Sequence, residues 1–597
     1  MDSFKLKSAT AERHEEGDAH HLEDVTPLDL DDPHRAALDH ASDPTKVPSM
    51  ATILAIVCLA MSFIAPMSCG YILITAIIVP IQTDLGDPNN TITWLIGGWS
   101  VASAVSFPVA GALSDIFGRR WVIMLGQAIS MIGSIVGATA QTVNTIVAGS
   151  TLLGFSTGLI YVSYAGIPEL LPNKWRGIGL ASTELAIGIP WGVANVLFAS
   201  LLVLHTSLGW RWCYYIGLIT AALSLVGTFA FYFPPSRPQH DLDRTRWDQF
   251  KAIDFVGLAL YAGGLTTLLV GLTWAGQPEH PWRSSSVIGP VVIGAATLVV
   301  CFIYEFTVPS QPLFPMEIFQ QFREFTILLA IAFSAGMVFY PMLALLPQGS
   351  LYLFTSDQIE IGLMALPSGC VQIAFGVIGP ALVGKIKRLK LQLIVTLVMQ
   401  TTFTAALAGA VRNKTAWVAL QSLAVGPFIL AILICYLMVG LNMPLRHLGL
   451  ATGLVGTFRS MGGSVGNAIF NTILQEVVRT DLGPKITAAA LQEGFDPAGL
   501  GALIPATYTA ILGVPGAFAA VPGISPAVET AAIQAFRNVY GDAFSMVFYV
   551  TIPFNVIVVI LALFVKDPSK YLTNHTAVQM EKKAGPGNRH TADSSAE

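Results

Sequence analysis

Charged side chains are scarce in this 597-residue sequence, where Asp, Glu, Lys and Arg make up 12% and hydrophobic residues 53%. Soluble globular proteins carry about 25% charged residues, so most of this chain is not expected to lie in water. Residues 1–48 hold twelve acids and five bases, so with a total net charge of −5 the remainder sums to +2. The body of the chain therefore carries no field that would attract nucleic acid.

Cysteine is also rare, and its six residues stand singly in apolar runs, without the spacing of a disulfide framework or a zinc site. The sequence lacks a glycine-rich nucleotide-binding loop at a strand–helix junction, a cluster of metal ligands and a nucleophile–base pair. We therefore expect no cofactor, no metal and no enzymatic activity, and pumping powered directly by ATP is excluded.

Long apolar runs fill most of the sequence after residue 50. A membrane span needs about 20 mostly apolar residues. We count fourteen such runs, at 52–79, 94–112, 121–140, 145–165, 179–203, 212–233, 254–275, 287–306, 324–349, 358–383, 391–411, 416–442, 451–477 and 543–565. The sequence therefore predicts an all-α integral membrane protein with fourteen transmembrane helices.

The basic residues predict which turns face the cytoplasm. With the N-terminus inside, the inner turns hold fourteen Lys and Arg and the short outer turns hold four, which fits the excess of positive charge on cytoplasmic loops. The glycosylation sequons at Asn89 and Asn413 then fall outside, and the one at Asn574 falls in the cytoplasmic tail. We expect glycans at Asn89 and Asn413 only.

Three charges interrupt the apolar sequence in "GALSDIFGRRWVIMLG" (111–126), the turn between spans 2 and 3. Arg119 and Arg120 mark the inner side, and that role alone is one interpretation. Asp115 ends an apolar helix, and a carboxylate there needs a cation or a helix N-terminus as partner. Gly111 and Gly118 permit close helix approach. The second interpretation is a conformational gate that holds two helices together in one state.

"GALSDIFGRR" resembles the signature between spans 2 and 3 of the major facilitator superfamily, G-x-L-x-D-x-x-G-R-R/K. Fourteen spans are similar to its larger drug–proton antiporter branch. Three further stretches resemble the fungal trichothecene efflux pump family, which also contains siderophore-iron transporters: "GFSTGLIYVSYAGIPELLPNKWRG" (154–177), "GWRWCYYIG" (209–217) and "FRSMGGSVGNAIFNTIL" (458–474). The resemblance covers residues 50–566.

The resemblance implies a major facilitator fold with cytoplasmic termini. Its parts are a disordered cytoplasmic tail (1–50), an N-terminal six-helix bundle (51–233), two extra helices (254–306), a C-terminal six-helix bundle (323–565) with a long extracellular loop (478–542), and a cytoplasmic tail (566–597). The halves are expected to be related by a pseudo-repeat. We place the extra pair at the periphery, and the long loop as either a lid or a loosely ordered connector.

The sequence departs from the wider superfamily at three positions. Tyr71 stands where many fourteen-span antiporters have an acid, and Ser150 stands where many relatives have an arginine. In "GPALVGKIKRLK" (379–390), the second-half counterpart of the charged turn, Val383 replaces the aspartate. A carboxylate other than the usual one must therefore carry any coupled proton, and the gate is one-sided.

Charges inside the bilayer are costly and usually face a cavity or a partner. Glu184 lies roughly 10 Å deep in span 5, at a rise of 1.5 Å per residue. It is interpreted either as a proton or substrate-cation site or as a structural hydrogen-bonding group. Arg459 lies at a similar depth in span 13. It is interpreted as the counter-charge of Glu184 or of the substrate, or as a residue that holds the cytoplasmic ends of the helices together. Glu169 is expected in an ion-pair cluster beside the gate, and Glu305 is expected to reach the interface.

Mid-span aromatic and amide side chains are candidates for a substrate cavity, because such walls suit a bulky amphipathic ligand. The alternative is that they bind helix to helix or sit at the membrane interface. The candidates are Tyr71, Trp99, Tyr161, Trp191, Asn195, Tyr340, Gln372 and Asn467.

These features and the resemblance lead us to expect a monomeric secondary-active transporter that binds a bulky amphipathic molecule and protons within the lipid bilayer. Export of a fungal toxin or drug by proton antiport across the plasma membrane is the main expectation, with a vacuolar or vesicle membrane as alternative. Import of a siderophore–iron chelate is the second hypothesis. A transporter-like sensor is the third, and the lack of a long soluble signalling domain disfavours it.

Overall fold

The computed structural model describes residues 48–86, 91–234, 253–275, 280–309 and 312–574. The disordered tail predicted for the first residues, most of the second tail and the sequon at Asn89 lie outside these ranges. The regular elements within them are all helices. They are α1 (Met50–Ala76), α2 (Thr91–Phe117), α3 (Arg119–Ala138), α4 (Val143–Glu169), α5 (Arg176–Ile187), α6 (Asn195–His205), α7 (Arg211–Phe231), α8 (Phe255–Trp274), α9 (Ser285–Thr307), α10 (Phe322–Leu353), α11 (Gln358–Ile386), α12 (Leu389–Ala410), α13 (Lys414–Asn442), α14 (Leu448–Gln492), α15 (Leu500–Ile511) and α16 (Pro526–Phe564), with short helices at Ile78–Leu85 and Met316–Gln320.

Within the described ranges, twelve helices are long and apolar enough to cross a membrane. They are α1 to α4, α7 to α13 and α16. The predicted span at 179–203 is divided between α5 and α6 by a wide, π-helical turn at Gly188–Gly192. A Cβ at Gly188 would stand 1.6 Å from Ile373 Cδ1 of α11, so this turn packs directly on the second half of the chain. The predicted span at 451–477 lies within α14, which has 45 residues and carries Arg459 among its buried side chains.

The extra helices α8 and α9 pack on each other, and α8 also packs on α2 and α14. The Tyr261 hydroxyl lies 3.3 Å from the Ala104 carbonyl oxygen of α2 and 3.5 Å from the Thr457 hydroxyl of α14. The outer face of α9 is exposed, including Val292, Val300 and Ile303. Only α9 is therefore at the periphery as expected; α8 contacts both halves of the molecule.

One end of the bundle, here called the basic end, carries the turns at 118, 170–175, 387–388 and 443–447. Hydrogen bonds there join the first half to the segment that follows α16, and join that segment to the start of α12. The Lys174 N–H donates to the Thr573 carbonyl at 3.0 Å, and the Leu389 N–H donates to the Ser569 hydroxyl at 2.8 Å. Most of the described basic residues that the sequence assigns to inner turns lie in these turns or beside them.

The opposite end, here called the hairpin end, carries segment 478–542. That segment is largely helical rather than an irregular loop: α14 continues to Gln492, α15 follows, and α16 starts at Pro526 behind the Ser525 cap. Helix-favouring residues explain the extension of α14 through "KITAAALQ" (485–492). At 1.5 Å per residue α14 is about 68 Å long, roughly twice the hydrocarbon thickness, so it must project beyond the membrane.

Asp84 anchors the first connection at the hairpin end. It accepts hydrogen bonds from the Trp210 indole N–H at 2.9 Å and from Arg211 at 3.0 Å. These two donors, the indole first, hold the pKa of the Asp84 carboxyl below its ordinary value despite partial burial. The short helix Ile78–Leu85 is thereby fixed to the start of α7.

Candidate functional site

Asp115 joins the two halves of the molecule at the basic end. It lies near the end of α2, and its two oxygens accept the backbone N–H groups of Gly449 at 3.2 Å and Leu450 at 3.1 Å, in the first turn of α14. These are N–H groups that a helix leaves without internal partners, at the end where its dipole favours negative charge. The carboxylate is about one tenth exposed, so water screens this contact little.

Gly111 makes that contact possible, because a Cβ there would stand 2.2 Å from the Gly449 carbonyl oxygen. The obstacle is backbone, which no side-chain rotation relieves. Gly118 ends α2 with a φ of 89°, a conformation that residues with a Cβ rarely adopt, and so turns the chain directly into α3. The two glycines predicted beside the aspartate thus have different roles: Gly111 permits close helix packing, and Gly118 permits the turn into α3.

Arg119 pairs with Glu169 rather than primarily with Asp115. Its Nε and Nη2 donate to the two carboxylate oxygens at 2.6 and 2.5 Å, while Nη2 stands 3.9 Å from Asp115. Both side chains of the pair are at most 5% exposed. Arg120 lies outside this cluster, donating to the Phe229 carbonyl at 3.0 Å with its guanidinium 4.0 Å from the Phe233 ring centroid.

Arg119→Ala is expected to destabilise the folded protein more than Arg120→Ala does. The first change removes both hydrogen bonds that Arg119 makes to the buried Glu169 carboxylate, and breaking a buried ion pair costs about 3–5 kcal/mol. The second removes a cation–π contact worth about 0.5–1 kcal/mol and a solvent-exposed hydrogen bond to the Phe229 carbonyl oxygen. Thermal unfolding and surface delivery of fluorescently tagged variants measure both. Equal losses for the two would contradict a structural role specific to the Arg119–Glu169 pair.

The second half of the chain makes the corresponding contact without a carboxylate. Gly177, in the first turn of α5, would place a Cβ 2.1 Å from the Pro380 carbonyl oxygen of α11, and Val383 stands beside it. Arg176 donates to the Gly440 carbonyl oxygen of α13 at 2.7 Å. Close glycine packing therefore occurs at both contacts, at Gly111 and at Gly177. Of these two contacts, the one at Gly111 also has a carboxylate, Asp115, that accepts helix N–H groups.

A cavity of about 1220 Å³, including its open mouth, lies between the halves. Its walls come from α1, α4, α5, α6 and the turn between the latter two on one side, and from α10, α11, α13 and α14 on the other. It runs from Arg459, ten residues or about 15 Å beyond Gly449 along α14, towards Ser350 near the hairpin end of α10. At the basic end the Asp115 contact lies beneath it.

Arg459 and Glu184 are the charged side chains of the described cavity wall, and tyrosines surround both. One Arg459 nitrogen, Nη2, donates to the Tyr161 hydroxyl, and the guanidinium lies 5.3 and 5.7 Å from the ring centroids of Tyr161 and Tyr340. Glu184 accepts the Tyr164 hydroxyl at 2.9 Å. Neither charge has an oppositely charged group within 4 Å among the described residues, and Arg459 Nε is buried without an acceptor there.

Five of the eight predicted cavity residues line this cavity: Tyr71, Tyr161, Asn195, Tyr340 and Gln372. Three do not. Trp99 lies behind Tyr71, stacked on it at 4.3 Å with its indole N–H on the Pro66 carbonyl. Trp191 packs edge-on against Phe198, and Asn467 lies on α14 two turns beyond Arg459.

Apolar wall residues escaped prediction, among them Phe339 and Phe428, whose rings stack at 3.9 Å. Their sequence pattern does not differ from that of packed core. Gln421 also lines the cavity, and a glutamine inside an apolar span is a signal that would have identified it.

Glu305 does not reach the interface as predicted. It is 2% exposed, enclosed between α8, α9 and the segment that follows α9, where the Phe314 N–H donates to Oε2 at 3.3 Å. Gly257 of α8 leaves the space that the carboxylate occupies, and this space directs the side chain inward rather than towards water.

Residues 38–595 match the family described as fungal trichothecene efflux pump (TRI12). The trichothecene efflux pump TRI12 of Fusarium sporotrichioides is 28% identical over 506 residues, covering 84% of this chain and 83% of that protein. The MFS-type transporter prx5 of Penicillium rubens is 28% identical over 528 residues, covering 86% of this chain and 92% of that protein. Among solved structures, the human organic anion transporter MFSD10 (TETRAN) superposes with a TM-score of 0.48 at 15% identity, over 87% of this chain and 99% of that one.

Proposed function

The chain belongs to the fungal trichothecene efflux pump family of the major facilitator superfamily, and from that premise we propose that it exports a trichothecene or a similar bulky, amphipathic toxin across the plasma membrane by proton antiport. The observation that carries this proposal is the cavity between the halves, whose aromatic walls hold the charged side chains Glu184 and Arg459. Its mixed aromatic and polar lining suits a bulky, amphipathic organic molecule.

Transport by this protein proceeds by alternating access. The Asp115 contact and the Gly111 and Gly177 packings close the basic end in one state, and they must part for substrate to enter from that side. Towards the hairpin end α11 packs on α6, where a Cβ at Gly362 would stand 2.9 Å from the Leu197 backbone. Separation of α11 from α6 opens the other mouth.

Arg459 selects for substrates that carry a hydrogen-bond acceptor. Its buried Nε lacks an acceptor among the described residues, and a buried N–H donor without an acceptor is costly. A carbonyl, ester or ether oxygen of the substrate at Nε removes that cost. The tyrosine rings cover the apolar body of the ligand. An uncharged ligand with one acceptor oxygen therefore fits the cavity without a further charged group on the protein.

An efflux assay tests the proposed function. Cells of a yeast strain without its own drug exporters are loaded with a radiolabelled trichothecene, and retention is followed with and without this protein. Expression is expected to speed loss of label, and a protonophore is expected to abolish the gain. Unchanged retention together with increased uptake of a labelled siderophore–iron chelate by iron-starved cells would instead establish import, which the comparisons do not favour.

The fourteen-span topology remains part of the proposal. Two further crossings, α5 with α6 and the first part of α14, would join the twelve apolar helices, because both lie in the helix bundle among buried partners. This count places both termini on the side of the basic end, and the excess of Lys and Arg assigns that side to the cytoplasm. The protein acts as a monomer, since one chain forms the whole cavity.

Glycosylation mapping tests this topology. Asn413 is exposed at the hairpin end and caps α13, but it stands one residue from the helix and is a poor acceptor if the membrane is close. A sequon made by Leu512→Asn with Val514→Thr uses two exposed positions in the projecting segment. We expect a glycan at position 512 and none at Asn574. A glycan at Asn574, or none at position 512, would contradict the orientation.

A further inference from the structure

Two carboxyl groups meet at the basic end of the extra helices, away from the cavity. Asp254 caps α8 and accepts the Val256 and Gly257 N–H groups with Oδ1 at 3.0 and 2.9 Å. Glu305 lies in the last turns of α9. Its Oε1 and the Asp254 Oδ2 come within 2.3 and 2.7 Å of the single point where a Cβ of Gly257 would stand. The two oxygens therefore share the small space left by that glycine.

Neither of these two oxygens has a hydrogen-bond partner among the described residues, although both are buried. Glu305 as a whole is 2% exposed. The other titratable groups facing the pair are Tyr304, whose hydroxyl is 3.3 Å from Asp254 Oδ1, and Cys301, whose thiol points at the Gly257 carbonyl at 3.6 Å. No Lys or Arg of the described ranges forms an ion pair with either carboxylate. Two adjacent carboxyl groups with facing oxygens buried from water do not both stay ionised without a cation.

A proton fits this space better than a metal ion. Calcium takes about six to eight oxygen ligands and magnesium about six. The described residues offer two free oxygens at this point, and no group of three or more acidic, histidine or cysteine side chains of the described chain is arranged to hold a metal. One proton placed between Oε1 and Oδ2 would satisfy both oxygens at once.

We propose that Asp254 and Glu305 form a proton-binding site, in which one proton is shared between the two carboxyl groups and fastens α8 to α9. The same Glu305 side chain accepts the Phe314 N–H through Oε2, so the shared proton also fixes the segment that leads into α10. This site is distinct from Glu184 and does not depend on what the cavity carries.

Infrared difference spectroscopy on the purified full-length protein tests the site. The spectrum of the wild type minus that of Glu305→Gln is expected to contain the carbonyl band of one protonated carboxyl group per chain, shifting in D2O. Asp254→Asn should lose the same band. Glu493→Gln, an exposed acid, serves as the control and should lose none. Absence of the band from both difference spectra would mean that the pair is fully ionised, and would overturn the proposal.

A steric variant separates the shared proton from the mere presence of two acids. Gly257→Ala keeps both carboxyl groups but places a methyl group between them, so the band is expected to vanish or shift. Gly263→Ala on the same helix meets nothing within 4 Å and should leave the band unchanged. Ala favours a helix more than Gly does, so unwinding cannot explain a loss. An unchanged band in Gly257→Ala, or a melting temperature raised by sodium, magnesium or calcium salts in wild type but not in Glu305→Gln, would overturn the proton site.

Discussion

Asp115→Asn is expected to slow export strongly and to move the resting protein away from the form that is closed at the basic end. The change keeps the shape of the side chain and removes its charge, so the N–H groups of Gly449 and Leu450 lose a charged acceptor. Hydrogen bonds to a charged group contribute about 1.5–3 kcal/mol. At about 1.4 kcal/mol per factor of ten, the ratio of the two populations changes by roughly 10- to 150-fold.

The measurement is the rate of cysteine modification in a background without native cysteines. Thr452→Cys places a probe on α14 between the Asp115 contact and the cavity floor, where it is 4% exposed and becomes accessible only if the basic end opens. Its modification from that side should accelerate in Asp115→Asn by the same 10- to 150-fold. Ser368→Cys, on the cavity wall, should become less accessible from the hairpin end.

The matched control is Asp357→Asn. Asp357 also accepts a helix N-terminal N–H, from Ile359 at 2.9 Å, but it caps its own helix α11 and joins no two halves. Asp357 is exposed and accepts through Oδ1 alone, which the amide oxygen of Asn replaces, so little change is expected. Asp115 is largely buried and uses both oxygens, one of which becomes an NH2 group facing an N–H donor in Asp115→Asn. Unchanged probe rates and unchanged export in Asp115→Asn would mean that the three charges of this turn only mark the inner side.

The sequence predicted the Asp115 contact because its parts are local. A carboxylate at the end of an apolar helix and a glycine one turn earlier lie within a few residues of each other. The largely buried carboxylate is costly without a partner, and the glycine leaves room for a helix to come close enough to supply one. The partner itself, the start of α14, lies 334 residues away and has no sequence signal beyond being a helix N-terminus. Glu169 was predicted in an ion-pair cluster beside the gate, but its partner Arg119, 50 residues away, was not identified for the same reason.

The cavity wall was less predictable, since hydropathy indicates that a residue lies in the membrane but not which helix face meets a space. Tyr71 and Trp99 have the same kind of signal, yet one lines the cavity and the other stacks behind it. Likewise, α8 was predicted to be peripheral, although its Tyr261 contacts α2 in one half and α14 in the other. Relative positions of helices are decided by packing between distant segments, which a single sequence does not contain.

Glu184→Gln is expected to abolish proton-driven transport while leaving substrate binding within a few-fold of the wild-type value. Glu184 is the acidic side chain of the described cavity wall, and it shares that wall with Arg459 without an ion pair between them. Under the proposed antiport mechanism, Glu184 would therefore meet both substrate and proton in this cavity, while Tyr71 occupies the place of the usual acid. Glutamine preserves the volume and still accepts the Tyr164 hydroxyl, but it cannot take up or release a proton.

Inside-out vesicles separate coupling from structure. An imposed proton gradient should drive accumulation of labelled toxin by the wild type and none by Glu184→Gln. Exchange of labelled for unlabelled toxin needs no net proton movement, so it should survive in the variant, which shows that the protein is folded and still alternates. Glu476→Gln, an exposed acid of α14 paired with Arg479, should behave as wild type in both assays. Gradient-driven accumulation that persists in Glu184→Gln would make Glu184 a structural partner of Tyr164, whereas loss of exchange as well would place it in substrate binding or folding rather than in coupling.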